Sequence, residues 1–236
     1  MIAVTASTSL ERVDRWAKSF SKFEDDIDFY AWDNFPENIG MVPAYQKLYQ
    51  EHRSHPTIVF MHDDCEIHDP DWPAKVEAEF ADPKVAVVGL GGALGLGDPD
   101  SYKVPYNLNQ LARKDYFSNQ TDWQVHGQRE TGSRNVVVVD GFFMAIRTGF
   151  LDEIGGWSDF PYTFHMYDAY ICLKALERGY RVRMTGISCT HHGGGTSTSP
   201  EYIDWCRERG TTPEREHELP HRFIYESFRE VLPVRV

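Results

Sequence analysis

Two adjacent carboxylates, Asp63 and Asp64, follow the apolar run of residues 58–61 after one intervening residue, His62. The β-branched and aromatic side chains of that run are typical of a buried strand. Because no lysine or arginine stands beside the two aspartates, their mutual repulsion needs a positive partner. A divalent cation held by oxygen ligands would supply it, and that cation could in turn hold the phosphates of a substrate. The alternative is a solvated turn after the strand, where aspartate is common.

Composition limits the classes of partner. The chain of 236 residues carries 36 acidic and 24 basic side chains, a net charge of -12. This argues against sequence-independent binding of nucleic acid or of an anionic membrane, both of which need a basic face. No apolar run approaches the roughly 18 residues of a membrane span, and residues 1–6 are too short for a signal peptide. None of the four cysteines forms a C-x-x-C pair, so we expect a reduced, cytoplasmic protein.

The elements that must position the aspartates follow from the hydrophobic periodicity. It predicts strands over residues 2–6, 28–32 and 58–61, with helices over 10–23 and 40–52 between them. This alternation implies parallel strands joined by crossover helices. Ligands of such sheets gather at the carboxyl ends of the strands. Ser7, Asp33 and the Asp63–Asp64 pair all follow strand ends, so we expect them to lie close together.

Two later segments invite other interpretations. Residues 89–97 are rich in glycine, but the following Asp98-Pro99-Asp100 cannot open the helix that a dinucleotide-binding fingerprint requires. We therefore predict a flexible loop there and not a nicotinamide site. Residues 101–134 are polar and aromatic with little periodicity, and they are either a substrate-facing excursion or a surface cover.

Three separated segments together carry a resemblance. They are His62-Asp63-Asp64, the run from Val139 through Asp140-Gly141 to Ile146, and the stretch from Gly155-Gly156-Trp157 through Tyr167-Asp168 to Gly179-Tyr180, followed by His191-His192. In this order they resemble the family 2 glycosyltransferases of the GT-A fold. The resemblance covers roughly residues 1–199 and implies an α/β fold, a Rossmann-like mixed sheet flanked by helices. Residues 200–236 are expected to form a helical extension packed on that domain.

The resemblance implies that an acceptor hydroxyl attacks the anomeric carbon of a nucleotide-diphosphate sugar, most often a UDP sugar, with inversion. A divalent metal, Mn²⁺ or Mg²⁺, would neutralise the departing diphosphate. Asp64 is then the expected ligand, although His62 occupies the first place of the family's Asp-x-Asp motif. Either His191 or His192 would complete the site. Only one of the two can face inward along a strand, and we prefer His191. Either could instead be an ordinary loop histidine.

The remaining roles also come from the resemblance. Asp168 is the expected general base, with a helix cap as the alternative. The family's second acid, two residues further on, is absent from Asp168-Ala169-Tyr170. Expected substrate contacts are Thr5, Ala6, Ser7 and Asp33 for the nucleotide, Asp63 for the nucleotide or ribose, Asp140 and Gly141 beside the donor sugar, and Trp157 as an apolar face for a sugar ring. Trp157 could equally be a core residue.

Two other functions stay open at this point. One is a different metal-dependent enzyme acting on nucleotide substrates, a nucleotidyltransferase or a phosphohydrolase. The other is a non-catalytic module that binds sugar nucleotides, for which the missing second acid is the only sequence indication. The expected acceptor is a glycan or another hydroxyl compound. The negative charge counts against nucleic acid as acceptor.

Overall fold

The computed structural model describes residues 1–20, 23, 27–35, 37–97, 115–121, 127–193, 199–232 and 234–236. Much of the polar insertion predicted over 101–134 lies outside the described residues, as do residues 194–198 of the glycine- and serine-rich segment after His192. No helix in the described part of the chain combines the length and apolar character needed to cross a bilayer.

The first half of the fold confirms the predicted crossover units. Its elements are β1 (Ile2–Ser7), α1 (Leu10–Phe20), β2 (Asp28–Asp33), α2 (Met41–His52) and β3 (Thr57–Met61). Strand β1 lies between β2 and β3 and is parallel to both. The apolar run of β3 is almost fully buried, because the sheet covers its edges and helices cover its faces.

The second half of the chain completes a mixed sheet. Its elements are β4 (Cys65–Ile67), α3 (Trp72–Phe80), β5 (Val85–Gly89), β6 (Gly91–Ala93), β7 (Gly95–Leu96), β8 (Tyr116–Ser118), β9 (Gln128–Arg129), β10 (Ser133–Val136), β11 (Val138–Val139), β12 (Phe143–Arg147), α4 (Thr148–Ile154), α5 (Tyr167–Glu177), β13 (Arg181–Thr185), β14 (Cys189–His191), α6 (Pro200–Glu208), α7 (Pro213–Ser227) and β15 (Val234–Arg235). Within the described residues the main sheet runs β10-β13-β5-β12-β3-β1-β2. Strand β12 is antiparallel to both of its neighbours. The predicted mixed sheet flanked by helices is confirmed.

The glycine-rich segment after β5 is not the flexible loop that we predicted. It contains two short, buried strands, β6 and β7. Its glycines serve close packing: a Cβ on Gly89 would lie 2.4 Å from the Cβ of Val139, and one on Gly91 would lie 2.0 Å from the hydroxyl of Tyr116. A larger residue at Gly89 would push against Val139 of β11, and one at Gly91 would displace the Tyr116 side chain.

Two apolar layers enclose the sheet. One contains residues of α2, α4, α5 and α7, and the other contains residues of α1 and α3, including Trp16, Phe20 and Trp72. The C-terminal helix α7 contributes Ile224 to the first layer, where it is fully buried. Helix α6 is attached through Trp205, whose indole nitrogen donates to the carbonyl of Asn38. The division of the chain after residue 199 stays a prediction.

Candidate functional site

The carboxyl ends of β1, β2 and β3 form one edge, as the parallel pairing requires. Ser7 at the end of β1 stands opposite Asp33 at the end of β2, and its hydroxyl donates to the Asp63 carboxylate that follows β3. A guanidinium nitrogen of Arg12 lies 3.6 Å from the same carboxylate. Asp63 is thus held towards the first strand and has its negative charge partly offset there.

Not every residue expected at this edge is available to a ligand. Thr5 is fully buried, and its hydroxyl donates to the carbonyl of Met61 at 2.8 Å, so it ties β1 to β3. Ala6 is partly exposed, and Asp33 is exposed. One oxygen of Asp33 accepts the amide of Phe35 at 3.0 Å, which fixes the direction of the carboxylate.

A triangle of potential metal ligands lies beside Asp63. The Nδ1 atom of His62 is 3.9 Å from the Oδ1 atom of Asp64, the Nε2 atom of His191 is 3.4 Å from that oxygen, and the two nitrogens are 3.4 Å apart. A point equidistant from the corners of a triangle with these sides is about 2.1 Å from each, which is the usual length of a metal–nitrogen or metal–oxygen bond. The three side chains therefore fit a divalent cation.

Strand pairing brings these residues together from distant parts of the chain. Strand β14 pairs antiparallel with β4, which sets His191 opposite Cys65, and the amide of His192 donates to the carbonyl of Asp64 at 2.9 Å. The His191 ring stacks on Phe142, with centroids 4.6 Å apart and planes at 17°. This stacking fixes the plane of the imidazole.

His192 points away from the triangle. Its Nε2 atom lies 3.2 Å from a carboxylate oxygen of Glu66, and its side chain is 45% exposed. The alternation along the strand accounts for the opposite directions of the two histidines. His62 is the member of the triangle that our sequence reasoning did not include among the metal ligands. Its place within the Asp-x-Asp motif was a usable signal, because histidine is itself a common metal ligand.

The protonation states suit metal binding. Burial alone would raise the pKa of Asp64, but the interactions with His191 and His62 outweigh it and lower the pKa to about 2. Burial, followed by the neighbouring His191, lowers the pKa of His62. The Oδ1 atom of Asp64 is buried and accepts no hydrogen bond of ordinary geometry from the residues described. An ionised carboxylate with a buried, unsatisfied oxygen and a neutral imidazole together make a donor set for a divalent ion.

Asp168 lies in the first turn of α5, after two residues with left-handed backbone, His165 and Met166. Its carboxylate accepts the amide of Gly141 at 3.1 Å and the amide of Ala169 at 2.8 Å. Burial and, after it, the nearby Asp140 carboxylate together raise the pKa of Asp168 to about 7, against the lowering effect of the backbone amides. A carboxylate with this pKa can exchange a proton at neutral pH.

Asp140 and Gly141 adjoin both parts of the site: the Gly141 amide donates to Asp168, and the Asp140 carboxylate is an electrostatic neighbour of both His62 and Asp168. One oxygen of Asp140 accepts a hydrogen bond from the Tyr116 hydroxyl at 3.3 Å. Gly141 has a steric role in addition to its amide, because a Cβ at this position would lie 2.3 Å from the hydroxyl of Tyr167.

Trp157 belongs to the core and does not offer a face to a sugar ring, contrary to our expectation. The side chain is 1% exposed, its indole nitrogen donates to the carbonyl of Tyr167 at 3.1 Å, and its ring packs against Phe60 and Tyr45. Trp157 is a core residue, which was the alternative to the sugar contact. Its size and its hydrogen bond both favour this burial.

A solved mannosyltransferase shares the fold of this chain, and two other solved structures resemble it more weakly. A mannosyltransferase, PcManGT from Pyrobaculum calidifontis, solved in complex with GDP-Man and Mn²⁺, is 14% identical, with a TM-score of 0.53, and the match covers 95% of this chain and 69% of that one. A197 from STIV is 18% identical over 82% of this chain and 85% of its own, with a TM-score of 0.46. GalNAc-T7, solved with UDP, GalNAc and Mn²⁺, is 11% identical over 98% of this chain and 51% of its own, with a TM-score of 0.49.

Comparison with curated protein sequences gives no significant match. The model of the glycosyltransferase-like family matches residues 35–210. That range includes the metal triangle, Asp140 and Asp168, and it spans about three quarters of the chain. The protein therefore belongs to the glycosyltransferase-like family and is a glycosyltransferase.

Proposed function

We propose that this glycosyltransferase moves a sugar from a nucleotide-diphosphate sugar to an acceptor hydroxyl with inversion, using Mn²⁺ or Mg²⁺ and Asp168 as general base. The observation that carries the proposal is the triangle of His62, Asp64 and His191, whose sides fit one divalent ion. A bound ion would act there as a Lewis acid that offsets the charge of the departing diphosphate.

The donor nucleotide is assigned to the edge beside this triangle. Asp33 is exposed at the end of β2, and Asp63 is oriented by the buried Ser7 and by Arg12, so the two carboxylates suit hydrogen bonds to a base or ribose, with Ser7 in support. UDP is the nucleotide that the sequence resemblance favours. The mannosyltransferase with the same fold was solved with GDP-Man and Mn²⁺, which supports a nucleotide-sugar donor and the metal but leaves GDP as an alternative to UDP.

The acceptor side is assigned to Asp168. A base with a pKa of about 7 can take the proton of an attacking hydroxyl during a single displacement, and a single displacement inverts the anomeric carbon. Asp140 would stand beside the donor sugar, since its neighbour Gly141 donates its amide to Asp168. The proposed acceptor is a glycan or another hydroxyl compound.

Thermal denaturation with UDP, GDP, CDP and ADP, each with and without Mn²⁺, tests the binding part of this proposal. Ligand at 100 times its Kd stabilises by about 2.7 kcal/mol, which corresponds to an increase in Tm of roughly 5 °C or more for a chain of this size. We expect a smaller increase with Mn²⁺ alone and the full increase only when Mn²⁺ and one nucleotide are both present, and we expect Asp64→Ala to abolish the metal-dependent part. Absence of any such increase with every pair would overturn the proposed site.

Product analysis tests the reaction. With the nucleotide sugar identified above, the wild-type protein should release nucleoside diphosphate and transfer or hydrolyse the sugar with inversion, seen by NMR of the anomeric proton. Asp168→Asn should retain donor binding and lose about 10²–10⁴-fold in transfer rate. Release of inorganic phosphate or pyrophosphate in place of sugar transfer would instead favour a phosphohydrolase or nucleotidyltransferase.

A further inference from the structure

The hydroxyl of Tyr167 lies 2.7 Å from the Nε2 atom of His62. The other ring nitrogen of His62, Nδ1, is the one that faces Asp64 and His191. The imidazole is therefore held from both sides. Tyr167 is the residue next to Asp168 in the first turn of α5, and neither the sequence motifs nor the proposed reaction assigns it a role.

We propose that Tyr167 is a positioning residue that orients His62 for metal binding and connects the metal triangle to the helix turn that carries the general base. This inference rests on the proposed metal site. His62, the ligand that the Tyr167 hydroxyl contacts, stands where the Asp-x-Asp motif usually has an aspartate.

The chemistry of imidazole gives the contact its function. A neutral histidine has one protonated and one bare nitrogen, and only the bare nitrogen can bind a metal ion. When Nε2–H donates to the Tyr167 oxygen, Nδ1 is left bare towards Asp64. A hydrogen bond to the remote nitrogen of a ligating histidine typically fixes its tautomer and ring orientation.

The surroundings hold the tyrosine in one position. Tyr167 is 8% exposed, and its ring lies edge-on to Tyr45 with centroids 5.6 Å apart. The absence of a side chain at Gly141 leaves space for its hydroxyl, because a Cβ there would lie 2.3 Å from the hydroxyl oxygen.

The backbone carries the connection to the base. Gly141 accommodates the Tyr167 hydroxyl and also donates its amide to the Asp168 carboxylate at 3.1 Å. The amide of His62 donates to the carbonyl of Phe142, the next residue after Gly141, at 2.9 Å. A displacement of the Tyr167 ring would therefore change the orientation of His62 and the position of the Gly141 amide that hydrogen-bonds Asp168.

The test is Tyr167→Phe, with Mn²⁺ affinity measured by electron paramagnetic resonance of the free ion in the absence of any sugar nucleotide. We expect the affinity to fall by about 10–100-fold while the Tm without metal changes little. The matched control is Tyr170→Phe, one turn further along the same helix. That hydroxyl is also buried and has no hydrogen-bond partner among the described residues, so the affinity should be unchanged.

A double-mutant cycle separates positioning through His62 from a general structural effect. In a His62→Ala background, Tyr167→Phe should cause no further loss of Mn²⁺ affinity. A full additional loss in that background, or wild-type affinity in the single variant, would overturn the role of Tyr167 and leave the proposed metal site intact. Failure of the wild-type protein to bind Mn²⁺ at all would overturn the metal site and, with it, this inference.

Discussion

The pH dependence of transfer is the most direct consequence of the environment of Asp168. An ordinary aspartate, with a pKa of 3.8, would be fully ionised above pH 6 and would leave the rate independent of pH. Here burial and the Asp140 carboxylate raise the pKa of Asp168 to about 7. A general base must be ionised to accept a proton, so activity should rise with pH across the neutral range.

The size of the effect follows from that pKa. With a value of about 7, roughly 9% of the carboxyl groups are ionised at pH 6 and roughly 91% at pH 8, so the rate should increase about tenfold between them. Below pH 6 the rate should fall about tenfold for each further unit. Asp140→Asn removes a negative charge that raises this pKa, so the midpoint should move to lower pH.

The assay is the initial rate of nucleoside diphosphate release, with donor and Mn²⁺ at saturation, at intervals from pH 5.5 to 8.5. Protonation of the metal-binding histidines would also reduce activity in acid, so Mn²⁺ affinity must be measured at each pH and excess metal supplied. A rate that is constant over this range at saturating metal would refute the assignment of Asp168 as a base with a raised pKa. An unchanged midpoint in Asp140→Asn would refute the electrostatic cause.

Two further predictions concern histidines. His191→Ala should abolish the Mn²⁺-dependent increase in Tm with nucleotide, whereas His192→Ala should retain it, because only the former side chain faces Asp64; equal losses in the two variants would contradict the structure. Burial lowers the pKa of His221 to about 4 in the folded protein, so the unfolded state binds a proton at a higher pH than the folded state. The free energy of unfolding of the wild type should therefore fall by about 3 kcal/mol as the pH decreases from 6.5 to 4, and this contribution is fully present above pH 6.5. In urea unfolding, His221→Gln should lose less stability than the wild type over that range.

The alternation of apolar periods was sufficient to predict the first half of the fold. Strands β1, β2 and β3 and the helices between them occur where the pattern placed them, because each element buries one face and the period of two or 3.6 residues records that face. The carboxyl-end rule then predicted that Ser7, Asp33 and Asp63 would meet at one edge.

Hydrophobic periodicity did not predict the short strands. Strands β6 and β7 occupy a glycine-rich segment whose composition indicates a loop. They form because β6 pairs with β8 and β11, and β7 pairs with β15. Those contacts join segments far apart in the chain, and no local pattern records them.

For the site, residue types identified the acidic pair as a candidate, and the family resemblance added the two histidines and Asp168. The sequence favoured His191 over His192 without deciding between them, because the choice depends on which way each side chain points after β14 pairs with β4. His62 could have been added from its place in the motif, but its distances to Asp64 and His191 come only from the fold. It could not distinguish a core role for Trp157 from a sugar contact, since burial is a property of the packed molecule. The pKa of Asp168 is likewise a tertiary quantity: the sequence supplies the carboxyl group, and the fold supplies the desolvation and the neighbouring charge that make it a base near neutral pH.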